Sequence, residues 1–356
     1  MNTAAHNSNS KDSLKFCIMG GCGSSGTTLL THLLSLHPEI ASGPEFNLFN
    51  HYEFYDFKSF KQNHMKKITG KCEPSGYIDS AVFMTYREYY ALTRELIGEW
   101  VQGSDTTYDF LARVLHHMYE RFSVPYFLEK SPTNVYCFPQ LAEMFPETPI
   151  IHVIRDGRDV VCSLMKRGFN LHGAASRWLY DTLCGLTIRN APNYHEVRYE
   201  DLVKNPDEIL KGIYSFLGKE AAAVDAESHT ESDQSVYSEN WLDRDVPQVW
   251  TSTPSDPIST ASIGKYKKQL TDEDMALLSH VTIRKNVVKP GMPDISSFNE
   301  LLGYLGYLEE DEKKQPSVKV SFARKYGLQL TDYERRLSRF ISQYGLKLPK
   351  LYTYIR

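Results

Sequence analysis

A glycine-rich turn between an apolar strand and a helix constrains this chain more than any other feature. Residues 14–19 are mostly apolar and predict a short buried strand. Residues 20–26 then read Gly-Gly-Cys-Gly-Ser-Ser-Gly, and residues 27–36 form an apolar stretch that Pro38 ends. Strand, turn and helix in this order open a βαβ unit, so the sequence predicts an α/β fold.

Two later segments continue the alternation of strands and helices. Residues 149–154 predict a second strong strand, followed by a helix over 159–167 that Gly168 ends. Residues 195–199 predict a third strand, and a short one is expected just before residues 42–45. Such alternation predicts a mostly parallel sheet with helices on both faces.

The remaining segments divide the chain into a core domain over 14–306 and several additions. Residues 1–13 are polar and predict a disordered tail. Residues 46–126 are rich in Tyr and Phe, are helical in patches (107–121 most clearly), and predict an insertion that shapes the substrate pocket. Residues 225–262 are polar and without period, which predicts a lid-like loop. Residues 307–356 predict a basic, helical C-terminal extension.

Charge and composition exclude several classes of protein. The 40 basic and 44 acidic residues give a net charge of −4, so nucleic acid is not an expected partner. No run of about eighteen apolar residues occurs, so no membrane span is predicted, and the tail lacks the apolar core of a secretory signal. The six cysteines are scattered without a Cys-x-x-Cys pair, which predicts free thiols and no zinc site. We therefore expect a cytoplasmic protein that holds no metal.

The glycine turn matches two nucleotide-binding patterns. Residues 21–26 fit the dinucleotide fingerprint Gly-x-Gly-x-x-Gly, with Glu45 as a candidate ribose ligand. They also approach the triphosphate-binding P-loop, although Thr27 stands where that motif has lysine. Under either pattern, backbone N–H groups at the start of a helix favour a phosphate. A nucleotide kinase, an NAD(P)-dependent oxidoreductase and a nucleotide-binding protein without catalysis therefore stay open.

A third interpretation accounts for the hydroxyl groups in the turn. Residues 23–30, Gly-Ser-Ser-Gly-Thr-Thr-Leu-Leu, resemble the 5′-phosphosulfate loop of the sulfotransferase family, and residues 128–132 and 150–164 resemble two further segments of it. The resemblance implies a P-loop-like, mostly parallel sheet. It also implies 3′-phosphoadenosine 5′-phosphosulfate (PAPS) as sulfuryl donor, 3′-phosphoadenosine 5′-phosphate (PAP) as product, and no metal. Ser24 departs from the family pattern, which usually has Lys or Arg there.

The resemblance also implies which residues bind the donor. Arg155 and Ser163 would hold its 3′-phosphate, and Lys265 would close over the same group from a late loop. Tyr199, in Arg-Tyr-Glu-Asp-Leu, would lie near the adenine. The residues of the 5′-phosphosulfate loop would be Gly23, Ser24, Ser25, Gly26, Thr27 and Thr28.

Two further residues are expected to act in catalysis. Lys130, in Leu-Glu-Lys-Ser-Pro, would lie near the transferring sulfuryl group by the same resemblance. Glu45 follows the expected second strand and is our candidate general base, with His51 as the alternative. His152 is expected to be a strand residue without a catalytic role. The acceptor would be a hydroxyl or amine, most simply of a small molecule.

Overall fold

A computed structural model gives the fold of the chain. The predicted tail, His51, residues 225–257 of the lid-like loop and residues 309–356 lie outside its described part, so the division of the chain into these regions stays a prediction. The described residues are 15–43, 45–50, 52–68, 89–220 and 258–308.

A five-stranded sheet in the order β2-β3-β1-β4-β5 forms the centre of the described structure. Each neighbouring pair of strands is parallel, so the predicted fold class is confirmed. The strands are β1 (Phe16–Gly21), β2 (Ile40–Ser42), β3 (Tyr126–Lys130), β4 (Ile150–Ile154) and β5 (Tyr194–Arg198).

The strands lie within two residues of their predicted bounds, except for β3, which was not predicted as a strand. Its last residues, Glu129 and Lys130, are charged, yet all five residues of β3 are buried. A charged strand end resembles a surface loop in sequence, because Glu and Lys are almost never fully buried unless they are paired.

Helices cover both faces of the sheet. The helix predicted over 107–121 is confirmed as Thr107–Phe122, begun by a capping box between Thr106 and Asp109. The helix predicted over 159–167 begins at Gly157, because the Asp156 side chain accepts a hydrogen bond from the Arg158 N–H. The helices are α1 (Thr27–Ser35), α2 (Phe57–Ile68), α3 (Arg94–Gln102), α4 (Thr107–Phe122), α5 (Phe138–Met144), α6 (Gly157–Lys166), α7 (Leu171–Leu186), α8 (Tyr199–Lys204), α9 (Pro206–Phe216), α10 (Tyr266–Gln269), α11 (Asp272–Leu278) and α12 (Phe298–Tyr304), with 3₁₀ turns at Tyr52–Tyr55, Pro132–Cys137, Thr260–Ser262 and Lys285–Val287.

The core consists of two apolar layers, one on each face of the sheet. In β1, Phe16 and Ile18 belong to one layer, whereas Cys17 and Met19 belong to the other. Helix α7 packs in the first layer, and α1 and α9 pack in the second. Because both faces are covered, the central strand β1 is apolar along its whole length rather than alternating.

The carboxyl ends of all five strands lie at one edge of the sheet. The central strand β1 has β3 on one side and β4 on the other, since the chain crosses from one half of the sheet to the other between them. In open parallel sheets, ligands bind at this edge where the strand order reverses. The glycine turn leaves β1 at this position.

His152 lies in the middle of β4, as expected for a strand residue. Its side chain is fully buried, its Nδ1 is 2.7 Å from the Tyr194 hydroxyl, and the missing side chain of Gly185 makes room for the ring. Burial lowers the pKa of His152 to about 3, because the charged imidazolium would lose its hydration. The folded protein therefore keeps this ring neutral where an unfolded chain would protonate it.

We expect His152 to make the protein less stable as the pH falls below about 6.5. Between that pH and the folded pKa of about 3, only the unfolded state binds the proton, so the free energy of unfolding decreases by about 1 kcal/mol per pH unit. Urea unfolding of the wild type and of His152→Gln at pH 7.5, 6.5 and 5.5 measures the difference in slope. Both proteins contain Glu129, a carboxyl whose pKa is raised by burial to about 7 and whose contribution to the pH dependence has the opposite sign. Comparing the two slopes cancels that contribution. Parallel pH profiles for the two proteins would contradict the expectation.

Candidate active site

The loop over residues 22–26 joins β1 to α1 and lies close against its neighbours. A side chain at Gly21 would meet the Val153 carbonyl oxygen at 2.5 Å, and one at Gly26 would overlap the Tyr199 ring. Gly26 is also left-handed, with φ of 97°, and it caps α1 without a side-chain acceptor. No side chain of the capping residue accepts from the first N–H groups of α1, so these groups can donate hydrogen bonds to a ligand.

Substituting Gly26 should destabilise the protein more than substituting a comparable surface glycine. Gly26→Ala adds both left-handed strain and overlap with Tyr199, and we expect it to cost about 3 kcal/mol of unfolding free energy. Gly218→Ala is the matched control, because Gly218 has φ of 66° but open space where a Cβ would stand. It should cost about 1 kcal/mol. Equal losses in urea unfolding would mean that the contact with Tyr199 is unimportant.

Two serine hydroxyls of the loop have no hydrogen-bond partner among the described residues. The Oγ atoms of Ser24 and Ser25 are buried, and within the described part of the chain nothing hydrogen-bonds to them. A buried polar group left unpaired costs about 1–3 kcal/mol. The loop therefore presents donors that a bound ligand would satisfy.

Arg155 follows β4 and reaches the loop directly. Its Nη1 donates to the Ser24 carbonyl oxygen at 3.1 Å, and its Nη2 donates to the Ser262 carbonyl oxygen at 2.7 Å. The nearby carboxylates have other partners, since Asp156 pairs with Arg158 at 2.8 Å. The guanidinium thus joins two loops, while its Nε has no partner among the described residues.

Lys265 and Ser163 complete the cluster around Arg155. The Lys265 ammonium donates a hydrogen bond to the Ser163 hydroxyl. Burial, with the positive charge of Arg155 as a smaller cause, lowers the pKa of Lys265 to about 8. The buried Asp159 accepts from the N–H groups of Gly264 and Tyr266 at 2.7 and 3.0 Å, and so holds the Lys265 loop in place. The structure therefore brings together the three residues expected at the 3′-phosphate.

Tyr199 packs between the glycine loop and Arg155. Its ring lies against Gly26, and the Arg155 guanidinium carbon lies 4.0 Å from the ring centre. The described contacts of this ring are with the protein, so its expected position near an adenine stays a prediction. Thr27 is buried at the start of α1, and Thr28 beside it is half-buried.

Glu45 and Lys130 meet on the other side of β1. The Lys130 Nζ is 3.6 Å from the Glu45 Oε1. The Lys130 side chain is 7% exposed, whereas the Glu45 side chain is 28% exposed. Lys130 ends β3 opposite Met19 of β1, three residues before the loop that begins at Cys22. A buried ammonium and a more accessible carboxylate therefore lie together beside the loop.

Glu129 is a site residue that sequence reasoning missed. Its buried carboxylate accepts hydrogen bonds from the Ser131 hydroxyl at 2.5 Å, from the Asn134 amide at 2.5 Å and from the Asn47 N–H at 3.2 Å. The bond from Asn47 attaches the segment that follows Glu45 to the end of β3. The only signal for this role was its place beside Lys130 in Glu-Lys-Ser-Pro.

Comparison with known proteins decides the family. A family model described as "Sulfotransferase family" matches residues 17–222, more than half of the chain. This chain belongs to the sulfotransferase family. The match includes the glycine loop, β3, β4 and Tyr199, whereas Lys265 lies beyond it.

Individual relatives of this chain within the family are distant. Protein-tyrosine sulfotransferase 1 of Danio rerio is 25% identical over 209 residues, which cover 56% of this chain and 52% of the relative. Omega-hydroxy-beta-dihydromenaquinone-9 sulfotransferase Stf3 of Mycobacterium tuberculosis is 30% identical over 151 residues, which cover 37% of this chain and 38% of the relative. The chain spans about half the length of the first curated relatives it matches.

One solved structure was also found to be similar to this chain. The sulfotransferase domain of the olefin synthase from Synechococcus PCC 7002 is 22% identical, with a TM-score of 0.47, and the match covers 71% of this chain and 86% of that domain.

Among the described residues, no helix is long and apolar enough to cross a membrane.

Proposed function

We propose that this protein transfers a sulfuryl group from PAPS to a hydroxyl or amine of a small-molecule acceptor. The observation that carries the proposal is the contact between two groups of anion-binding residues. The Arg155 guanidinium donates to the Ser24 carbonyl of the glycine loop, so the loop and the Arg155–Ser163–Lys265 cluster are adjacent. A nucleotide with phosphate at both ends of its ribose needs two such neighbouring sites.

Unpaired polar atoms support this donor. The hydroxyls of Ser24 and Ser25 and the Nε of Arg155 are all buried without partners among the described residues. They are donors, and the cluster beside them adds the cation of Lys265. This set of groups suits phosphate oxygens better than a neutral ligand.

The residues around the loop divide the chemistry between them. PAPS, when bound, supplies a sulfuryl group already linked to a phosphate that can leave. The loop N–H groups and Lys130 would offset the charge that develops on that phosphate. Glu45 would remove the acceptor's proton, because its carboxylate lies beside Lys130 and is accessible.

The names of two relatives indicate the chemistry of the acceptor. The relatives are named for a protein tyrosine and for a dihydromenaquinone, which are both hydroxyl compounds. A hydroxyl acceptor is therefore favoured over an amine, and a small molecule and a cytoplasmic location stay predictions.

Calorimetry with PAP, ATP with Mg²⁺, and NADPH tests the donor. We expect binding of PAP and none of comparable affinity for the other two. Preferred binding of ATP with Mg²⁺ would favour a kinase, and preferred binding of NADPH would favour an oxidoreductase. A transfer assay with radiolabelled PAPS and a panel of phenols, alcohols and amines then separates an enzyme from a protein that only binds the nucleotide.

A further inference from the structure

Helix α7 carries a buried ion pair that the proposed function does not use. All of its residues from Leu171 to Leu186 are buried, and Arg177 Nε lies 3.2 Å from Asp181 Oδ2. Burying two charges costs more than burying apolar side chains of similar size, so such a pair adds little stability by itself. Two positions that apolar side chains such as methionine and leucine could fill are instead occupied by a guanidinium and a carboxylate.

The pair lies directly beneath the glycine loop. Were Gly23 to carry a side chain, its Cβ would stand 3.8 Å from Nη2 of Arg177. Asp181 accepts a hydrogen bond from the Tyr136 hydroxyl at 2.6 Å. Arg177 is therefore held in a defined orientation against the loop.

The loop has no positive side chain of its own. Residues 20–31 contain neither Lys nor Arg. Of the cations nearby, Lys130 is within 3.6 Å of the Glu45 carboxylate, and Arg155 reaches the loop at Ser24. Arg177 reaches it at Gly23, so guanidinium groups flank the loop from two sides.

We propose that Arg177 is a further catalytic residue, which contacts the 5′-phosphate end of the donor and supplies the positive charge that Ser24 does not. The inference rests on the proposed function. Transfer breaks the bond between sulfur and the 5′-phosphate oxygen and leaves the electron pair on that oxygen, while sulfur bonds to the acceptor and the acceptor's proton passes to Glu45. A fixed guanidinium beside the oxygen stabilises the charge that forms there.

Binding measurements test the contact without turnover. We expect Arg177→Met to weaken PAP about tenfold, the usual effect of one charge-assisted hydrogen bond, and to leave adenosine 3′-phosphate unchanged. Arg189→Met is the matched control, because Arg189 is also paired, at 2.8 Å from Glu196, but lies beyond the far end of α7. It should alter neither affinity. Equal weakening of both ligands by Arg177→Met, or no weakening, overturns the proposal.

A second substitution separates catalysis from folding. In the Arg177→Met background, Ser24→Lys places a cation on the loop itself, and we expect it to recover most of the lost PAP affinity and turnover. A merely structural Arg177 would not be replaced in this way, so an absence of recovery overturns the proposal. If Arg177→Met does not fold, Arg177→Met with Asp181→Asn removes the stranded carboxylate and carries the same measurements. If the wild type binds neither PAP nor adenosine 3′-phosphate, the proposed function is overturned together with the role of Arg177. If the wild type binds both and the Arg177 variants give the contrary results above, only the role of Arg177 is overturned.

Discussion

Replacing Glu45 by Gln should lower turnover about a hundredfold or more, which is the range expected for loss of a general base. The amide keeps the size of the side chain and its contact with Lys130 but does not accept the acceptor's proton. Affinity for PAP should change by less than about twofold, because the donor-binding residues lie at the glycine loop and at Arg155. Initial rates at saturating PAPS, together with calorimetry of PAP, measure the two effects separately.

His51 provides the control for this prediction. It is the alternative base and lies outside the described residues. We expect His51→Ala to keep most of the activity. Full activity in Glu45→Gln combined with inactivity in His51→Ala would transfer the role of base to His51.

Replacing Arg155 by Ala should weaken PAP about a hundredfold and AMP far less. The two ligands differ only in the 3′-phosphate, to which a guanidinium makes charge-assisted and bidentate bonds. Calorimetric titration of both ligands into the wild type and the variant gives the ratio directly. Arg155 also hydrogen-bonds to Ser24 and Ser262, so some loss of AMP affinity is expected from displacement of the two loops.

Two variants control for that displacement. Arg155→Lys keeps the charge and should recover part of the PAP affinity, although a lysine lacks the guanidinium fork. Ser163→Ala removes a neutral hydroxyl and should have the smaller effect. If Arg155→Ala weakens PAP and AMP by the same factor, Arg155 does not recognise the 3′-phosphate.

The elements that depend on local pattern were predictable from sequence. The glycine turn, the helix after it and the strand before Arg155 follow from apolar runs and from residues that begin or end helices. The strand β3 was missed because its charged end at Glu129 and Lys130 has the composition of a loop. Its burial depends on hydrogen bonds from Ser131, Asn134 and Asn47, and the last of these is distant in sequence.

The sequence by itself determined the α/β fold class and the glycine-rich turn, which it predicts to bind an anion, because glycine spacing and helix starts act over a few residues. The tertiary structure decided which distant side chains meet that turn. Arg155 at Ser24 and Arg177 at Gly23 are brought there by the order of the parallel strands and by the packing of α7. Such contacts depend on how the whole core packs, and local sequence pattern does not encode them. Burying a charge costs free energy, so a buried arginine beside the loop points to a role other than packing.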